Sequence, residues 1–307
     1  MTRFILMRLI QTAIALIGIA VLIFVLARAS GDPIDLLRSA TSTPAEIENL
    51  RKQLGLDKSN WEQFVIFMTG LAQGDFGESL IKRRPVNEMI GEALPNSLRL
   101  TVPAFTISMV VALALGVLAA TRRDTIIDNG VKFLAILGQA LPGFWLAIMA
   151  MLLFSVYWGV LPTAGLGGPA HYVMPVGTIA FFILPGMMRL VRSGMLDVLD
   201  SEYIKLARIK GLPERVIIWK HALRNAIIAP LTTAGMIMAA MVMGAVVTEN
   251  IFNWPGMGRL MLEAAYARDF AVVQAITLII AVMVLGMNLL VDITYAYVDP
   301  QIRYEKS

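Results

Sequence analysis

The chain has 307 residues, of which 57% are hydrophobic and 16% charged, and a formal net charge of +4. A soluble domain is usually about 45–50% apolar and about 25% charged, so this composition excludes an ordinary water-soluble fold. There is no cysteine, which excludes disulfides, thiolate metal sites and cysteine nucleophiles.

The apolar excess falls in blocks of about 20 residues, the length that crosses roughly 30 Å of hydrocarbon as a helix. No alternating run of about ten residues repeats along the chain, so a transmembrane barrel is not expected. The pattern predicts an all-α, polytopic membrane protein. Its pI near 9.4 then reads as basic loops on one side of a membrane, not as a nucleic-acid surface.

In chain order, the first block is "RLIQTAIALIGIAVLIFVLARAS". Arg3 and Arg8 precede it, and Ala27-Arg28-Ala29 resembles a cleavage site. The apolar run from Leu9 to Ala27 exceeds the about 7–15 residues of a signal-peptide core, so an uncleaved span over about 9–28 is expected. The segment 29–98 is polar and rich in helix formers. Within it, "TPAEIENLRKQLGL" starts with Thr43 as a cap, Pro44 at the first helical position and Glu46 at the third. Ile47, Leu50 and Leu54 give an apolar stripe. One or two short helices at the membrane surface are predicted here.

Five more spans follow, over about 99–120, 132–157, 173–191, 228–248 and 272–297, six in all. Pro142 and Gly143 fall inside the third, Pro175 and Pro185 inside the fourth. Prolines kink such helices, and neighbouring helices must satisfy the freed carbonyls, so a packed bundle is expected. Three units result: a first span (1–28), a helical segment outside the cytoplasm (29–98) and a core of five spans (99–307).

Lysine and arginine near span ends set the orientation. Arg3 and Arg8, Arg122 and Arg123, a basic connection between spans 4 and 5, and Arg303 with Lys306 all fall on one side. Both termini and the loop 192–227 are therefore expected in the cytoplasm. Lys82-Arg83-Arg84 falls on the other side, flanked by Asp75, Glu78, Glu88 and Glu92.

Little catalytic chemistry is available. The two histidines, His171 and His221, fall on opposite sides, and no HExxH, GxSxG or Walker A pattern occurs. The spans are nearly free of charge, Asp292 near the end of span 6 being the main exception, which argues against an ion-coupled carrier. Gln139 and Asn288 read as interhelical hydrogen-bonding groups.

The basic loop holds two apolar stripes. "MLDVLDSEYIKLARIKG" places Leu196, Leu199, Tyr203 and Leu206 on one helical face, and Gly211 permits a sharp turn. Leu212 and, after Pro213, Val216, Trp219 and Leu223 form a second face. Such a hairpin can rest on anionic lipid. It can also dock in a groove on a partner, with Trp219 and Arg215 as anchoring residue types.

The loop resembles the EAA loop of ABC-importer permeases, whose pattern is EAA, three residues, Gly, nine residues, I-x-L-P. Aligned on Gly211, Lys205-Leu206-Ala207 takes the EAA positions and only Ala207 matches. His221 stands at the Ile position, Leu223 matches, and Arg224 replaces the Pro. These departures are similar to the dipeptide/oligopeptide/nickel permease subfamily. "LGLD", "QGDFGESL", "RPVNEMIGEALPNSLRLT", "NWPGMGRLMLEAAYARDF" and "NLLVDITYAYVDPQIRY" resemble its other segments, in order.

The resemblance implies an ABC type I importer permease fold in a bacterial or archaeal inner membrane. It implies two cytoplasmic ATPase subunits, a second homologous permease subunit and an extracytoplasmic solute-binding protein. ATP and Mg would sit on the ATPase partners, with no cofactor on this chain and no nucleic acid. Besides Gly211, the coupling residues are expected to be Glu202, Ala207, Arg208, Leu212, Arg215, Val216, Trp219 and Leu223. An outer-mouth segment over 253–270, with Trp254, Pro255, Gly256, Gly258, Arg268 and Asp269, would contact the binding protein, gate the pathway or serve as a surface connector. Peptides are the default solute, although nickel, sugars and opine-like solutes use similar permeases. The alternative from another class is a self-sufficient carrier or channel.

Overall fold

The computed structural model describes residues 2–29, 44–53 and 56–298. Thr43, Leu54, Arg303 and Lys306 lie outside them, as do the side chains of Ile47, Leu50 and Asp292. Among the described residues every regular element is helical: α1 (Thr2–Ala29), α2 (Pro44–Gln53), α3 (Asn60–Ala72), α4 (Val86–Thr121) and α5 (Ile126–Ala140) come first. Next, α6 (Gly143–Ala150) runs on as a π-helical stretch (Met151–Tyr157) and α7 covers Ala170–Leu199. A short α8 (Glu202–Ile209) precedes α9, which is built of Glu214–Val216, a π-helical Ile217–Ala222 and Leu223–Ala226. The chain closes with α10 (Ile228–Ile251), α11 (Met257–Tyr266) and α12 (Phe270–Val298).

Four helices are long and apolar enough to cross a bilayer, in α1, α4, α7 and α12, or five if α5 and α6 make one span. The fifth expected span, 228–248, falls on α10, which contains the shorter apolar stretch Ile228–Met238. The third expected span is not one straight helix. Its two halves meet at 99°. Pro142 has no N–H to continue α5, and its ring pushes Leu141 to φ −88°, ψ 126°, so the chain leaves the helix and restarts. Pro175 and Pro185, by contrast, sit inside a continuous α7.

The core forms around the long pair α4 and α7. On α4 the buried residues Leu100, Thr101, Ala104, Ser108 and Ala112 recur every three or four positions, the stripe of a helix pressed on a neighbour. Small residues let the backbones close in. A side chain at Gly116 would meet Val191 Cγ1 at 2.7 Å, and one at Gly138 on α5 would meet the Pro185 ring at 2.4 Å. Ser108 Oγ donates to the Ala180 carbonyl at 3.1 Å, and Arg189 donates to Gln139 Oε1 at 3.2 Å, so Gln139 does link two helices. Met187, Met188, Ala234, Met241 and Trp254 complete this core.

The bundle has two ends. At one, Val117 and Ala120 of α4 pack with Met195 and Leu199 of α7 and with Ile204, Ile217 and Ala222 from α8 and α9. At the other, Val86, Met89, Ile90 and Ala93 of α4 pack with Met257, Leu260 and Ala264 of α11 and Val272 of α12. Helix α3 joins α1 near this second end: the Phe24 ring packs edge-on against Phe64 and tilted against Phe67, at 5.3 and 5.7 Å. A capping box starts α3, with Ser59 N–H donating to Glu62 Oε2 at 2.9 Å and Glu62 N–H donating to Ser59 Oγ at 3.3 Å.

Candidate functional site

At the first end, the connection from α7 to α10 folds back on itself. Helix α8 stops at Lys210, and Gly211 takes φ +75°, a left-handed conformation that L side chains rarely adopt. Gly211 N–H donates to the Arg208 carbonyl at 2.9 Å, and Leu212 N–H to that of Ala207 at 3.3 Å. The space around Gly211 is open, so the backbone conformation is what favours glycine there. The turn is stapled by Arg208 Nε to Glu214 Oε1 at 2.7 Å. Asn225 Nδ2 donates to Tyr203 Oη at 2.7 Å, tying α8 to the end of α9.

The two expected apolar stripes divide differently. The chain turns at Asp200, so Leu196 and Leu199 stay on α7, largely inside, while Tyr203 and Leu206 face outward on α8. Ile204, which the stripe omitted, is the fully buried anchor of α8. On α9, Ile217 and Ala222 are fully buried, Val216 and Leu223 are half-buried, and Trp219 is 55% exposed. A π-helical stretch lengthens each turn, so 3.6-residue spacing selects the wrong positions there. What remains outside is an apolar ledge: Tyr203, Leu206, Ile209 at 81% exposure, Leu212 and Trp219. Glu202, Arg208 and Arg215 are also exposed around it, and Ala207 is half-buried.

Beneath the ledge is an ion-pair cluster that sequence reasoning missed. Asp128, fully buried at the start of α5, accepts from Arg192 Nε at 2.6 Å and Nη2 at 2.9 Å. Lys132 Nζ lies 2.8 Å away, and the Asp124 N–H donates at 3.0 Å. Arg192 therefore joins α7 to α5 and is more than a topological charge. A weaker pair, Arg123 to Asp200 at 3.3 Å, joins the end of α4 to the end of α7.

At the second end, the segment 253–270 folds around another buried acid. Glu249, with no exposed surface, accepts from Ser97 Oγ at 2.5 Å, Gly258 N–H at 2.8 Å and Arg259 N–H at 3.1 Å. Ser97 Oγ in turn accepts from Met257 N–H at 2.8 Å. The first three N–H groups of α11, which have no partner within the helix, are thus all satisfied from outside it. Gly256 and Gly258 leave room for this: a Cβ on Gly256 would fall 2.3 Å from Glu249 Oε1, and one on Gly258 2.5 Å from Val246 Cα.

Trp254 is fully buried, donates from Nε1 to the Asn96 carbonyl at 3.0 Å and packs edge-on against Tyr172. Pro255 is exposed but its carbonyl accepts from Asn96 Nδ2 at 3.0 Å. Arg268 is exposed at φ +52°, and buried Asp269 accepts from Ser79 Oγ. Lys82 pairs with Glu263 at 3.0 Å, and Arg84 with Glu92 at 2.7 Å. Part of the Lys82-Arg83-Arg84 cluster is therefore neutralised by contacts to α11 and α4. Partial burial pushes Glu263 up, but Lys82 and Arg259 pull harder, and its carboxyl stays below its usual range.

A membrane bundle with a sharply bent α5–α6 pair, a hinged apolar ledge at one end and a short capped helix at the other has the fold of an ABC-importer permease. The inward-facing MetNI methionine ABC transporter shares it with a TM-score of 0.58 at 18% identity, over 69% of this chain and 96% of that one. The sequence matches two descriptions, binding-protein-dependent transport system inner membrane component over residues 112–304 and its N-terminal region over residues 1–101. The chain is 36% identical over 316 residues to the oligopeptide transport system permease protein AppB of Bacillus subtilis. It is 37% identical over 306 residues to the glutathione transport system permease protein GsiC of Salmonella choleraesuis. Each alignment covers 99% of this chain and 100% of the relative. The chain belongs to the family of binding-protein-dependent transport system inner membrane components. It is a membrane translocation subunit of an ABC importer, not the catalytic part of one.

Proposed function

We propose that this chain forms one half of the translocation path for a peptide-like solute and takes its drive from a cytoplasmic ATPase seated on the ledge around Gly211. The observation that carries the reading is the row Tyr203, Leu206, Ile209, Leu212 and Trp219, apolar side chains left in the open on a hinge whose other face is fully buried. A short helix with such a face fits a groove on a partner. Burial of Ile204 and Ile217 makes the hinge rigid, so a push on the ledge is passed to α4 and α7. The solute class follows from AppB and GsiC, named for oligopeptide and glutathione transport.

In this reading α10 is the fifth span, which makes six in all, and both termini face the cytoplasm with the loop 192–227. The units are a first span (1–28), a periplasmic helical segment (29–98) and a core (99–307). Trp254, Pro255, Gly256, Gly258, Arg268 and Asp269 belong to the outer-mouth segment; exposed Pro255 and Arg268 are placed to meet the solute-binding protein, while buried Trp254, Gly256, Gly258 and Asp269 hold its shape. The partners are a second homologous permease subunit, two ATPase subunits that carry ATP and Mg, the binding protein and membrane lipid.

Purification in mild detergent is expected to bring down the second permease and the ATPase subunits. A chain that came alone and transported in liposomes without ATP would be a self-sufficient carrier. Ile209→Asp should reduce ATPase recovery by tenfold or more, because a charge would have to be desolvated at the contact. Ile209 makes little contact within the chain, so membrane insertion should not change. Gly211→Val forces a β-branched residue into left-handed backbone at about 1–3 kcal/mol. It should abolish ATP-driven uptake while leaving insertion intact. Robust uptake at normal protein levels would sink the docking proposal.

A further inference from the structure

An arginine on α4 is left over from every contact described above. Arg99 stands about 20 Å along α4 from Val86, at about 1.5 Å per residue, where the apolar spanning stretch of the helix begins. Its side chain is exposed, and its one hydrogen bond is from Nη1 to Asn96 Oδ1 at 3.1 Å. Among the described residues no carboxylate lies within ion-pair distance of it. Arg84, Arg192, Arg208 and Arg259 are all paired. A cation at the start of a spanning stretch, held only by a neutral amide oxygen, keeps its charge available to a ligand.

Arg99 also lines a crevice of about 890 Å³ between α4 and the start of α7. Pro95, Val102 and Pro103 form one wall, and Tyr172 and Val173 the other. The crevice is shallow and open along most of its face, and its lining has the character of ligand sites, which are apolar with a few placed polar groups. Here the only charged lining group is the guanidinium. Tyr172 is also the ring against which Trp254 packs, so the crevice adjoins the segment 253–270. Pro95 and Pro103 bracket Arg99 on α4.

We propose that this crevice is a solute subsite in which Arg99 holds an oxyanion, namely the terminal carboxylate of the peptide-like solute. Arginine's planar fork matches a carboxylate with two parallel hydrogen bonds, and low dielectric strengthens them. The apolar walls would take side chains with little discrimination, while the charge would fix one end. The proposal rests on the peptide-importer reading. A lipid phosphate from the outer leaflet offers the same oxyanion chemistry, and the test separates the two sources.

The full transporter with its binding protein is reconstituted in liposomes loaded with ATP. It is offered a library of two- to five-residue peptides in free-carboxylate and C-amidated forms, and import is read by mass spectrometry. The readout is the ratio of free to amidated import, which cancels changes in expression, assembly or delivery. Arg99→Gln should lower that ratio about tenfold, the loss of a charge-assisted hydrogen-bonded pair. Arg99→Lys, which keeps the charge and loses the fork, should recover part of it. An unchanged ratio in both variants overturns the proposal. If native mass spectrometry also shows loss of a bound phosphatidylglycerol in Arg99→Gln with the ratio unchanged, the oxyanion is a lipid's. If the wild-type transporter imports no peptide in either form, the peptide-importer reading fails first and takes this subsite with it.

Discussion

Asp128→Ala is expected to lower the thermal midpoint of the purified permease by about 10 °C and to abolish uptake. Asp128 is fully buried and is shared by Arg192 and Lys132. Removing the acid leaves Arg192, only 19% exposed, without its carboxylate, while Lys132, 37% exposed, can turn to water. Breaking a buried pair this way costs about 3–5 kcal/mol. The functional loss follows from position. Arg192 lies on α7 one turn before Met195, which packs on Ile204 and Ile217 under the ledge. Without the clamp, α5 and α7 are free to slide past each other, and a push on the ledge dissipates. Asp128→Asn keeps the shape and two acceptor lone pairs but loses the charge, so it should fall between wild type and Ala. The check is unfolding followed by tryptophan fluorescence in detergent, alongside uptake in cells. Wild-type stability in Asp128→Ala would show that the cluster is not a clamp.

How far sequence carried the fold depends on what each signal measures. Spans were legible because hydrocarbon thickness sets their length, and α1, α4, α7 and α12 fall where the apolar blocks do. The bend at Pro142 was legible as a kink, but not as a 99° break. Pro175 and Pro185 carry the same local signal inside an unbroken α7, so neighbours decide the outcome. The loop was legible as a hinge, since a Gly-Leu-Pro run between two apolar stripes has few other foldings. Its buried side was not, because the π-helical turn at Ile217–Ala222 breaks the spacing on which stripe counting depends.

The buried acids were the largest omission. Asp128 gains its meaning from Arg192, 64 positions away, and Glu249 from Ser97, 152 positions away. No local pattern encodes a partner at that distance. One clue was present for Glu249: it is an acid at the end of an apolar run, followed within nine residues by Gly256 and Gly258. Glycines in that place announce close approach of something, and here it is the carboxylate itself. Arg99 gave the opposite signal, a charge at the edge of a span, which reads as an interfacial residue until the crevice beside it is seen.

Glu249→Ala is expected to release α11 from the bundle and to stop transport. The carboxylate satisfies Ser97 Oγ–H and the N–H groups of Gly258 and Arg259, all inside a closed core. Each buried donor left without an acceptor costs about 1–3 kcal/mol. α11 closes one end of the bundle through Met257 and Leu260 against Val86, Met89 and Ile90, so its release loosens α4 as well. Glu249→Gln separates geometry from charge. Its amide oxygen can still accept from Gly258 and Arg259, and its NH2 can donate to Ser97 Oγ, whose hydroxyl must then turn elsewhere. Gln should therefore keep most stability and a measurable fraction of uptake, whereas Ala should keep neither. Gly258→Val should resemble Ala, since its side chain would enter the space of Val246. Limited proteolysis at the exposed Tyr266–Arg268 turn provides the readout: cleavage should be fast in Ala and Val, and slow in Gln and wild type. Equal protection in all four would mean that α11 is held by its apolar contacts alone.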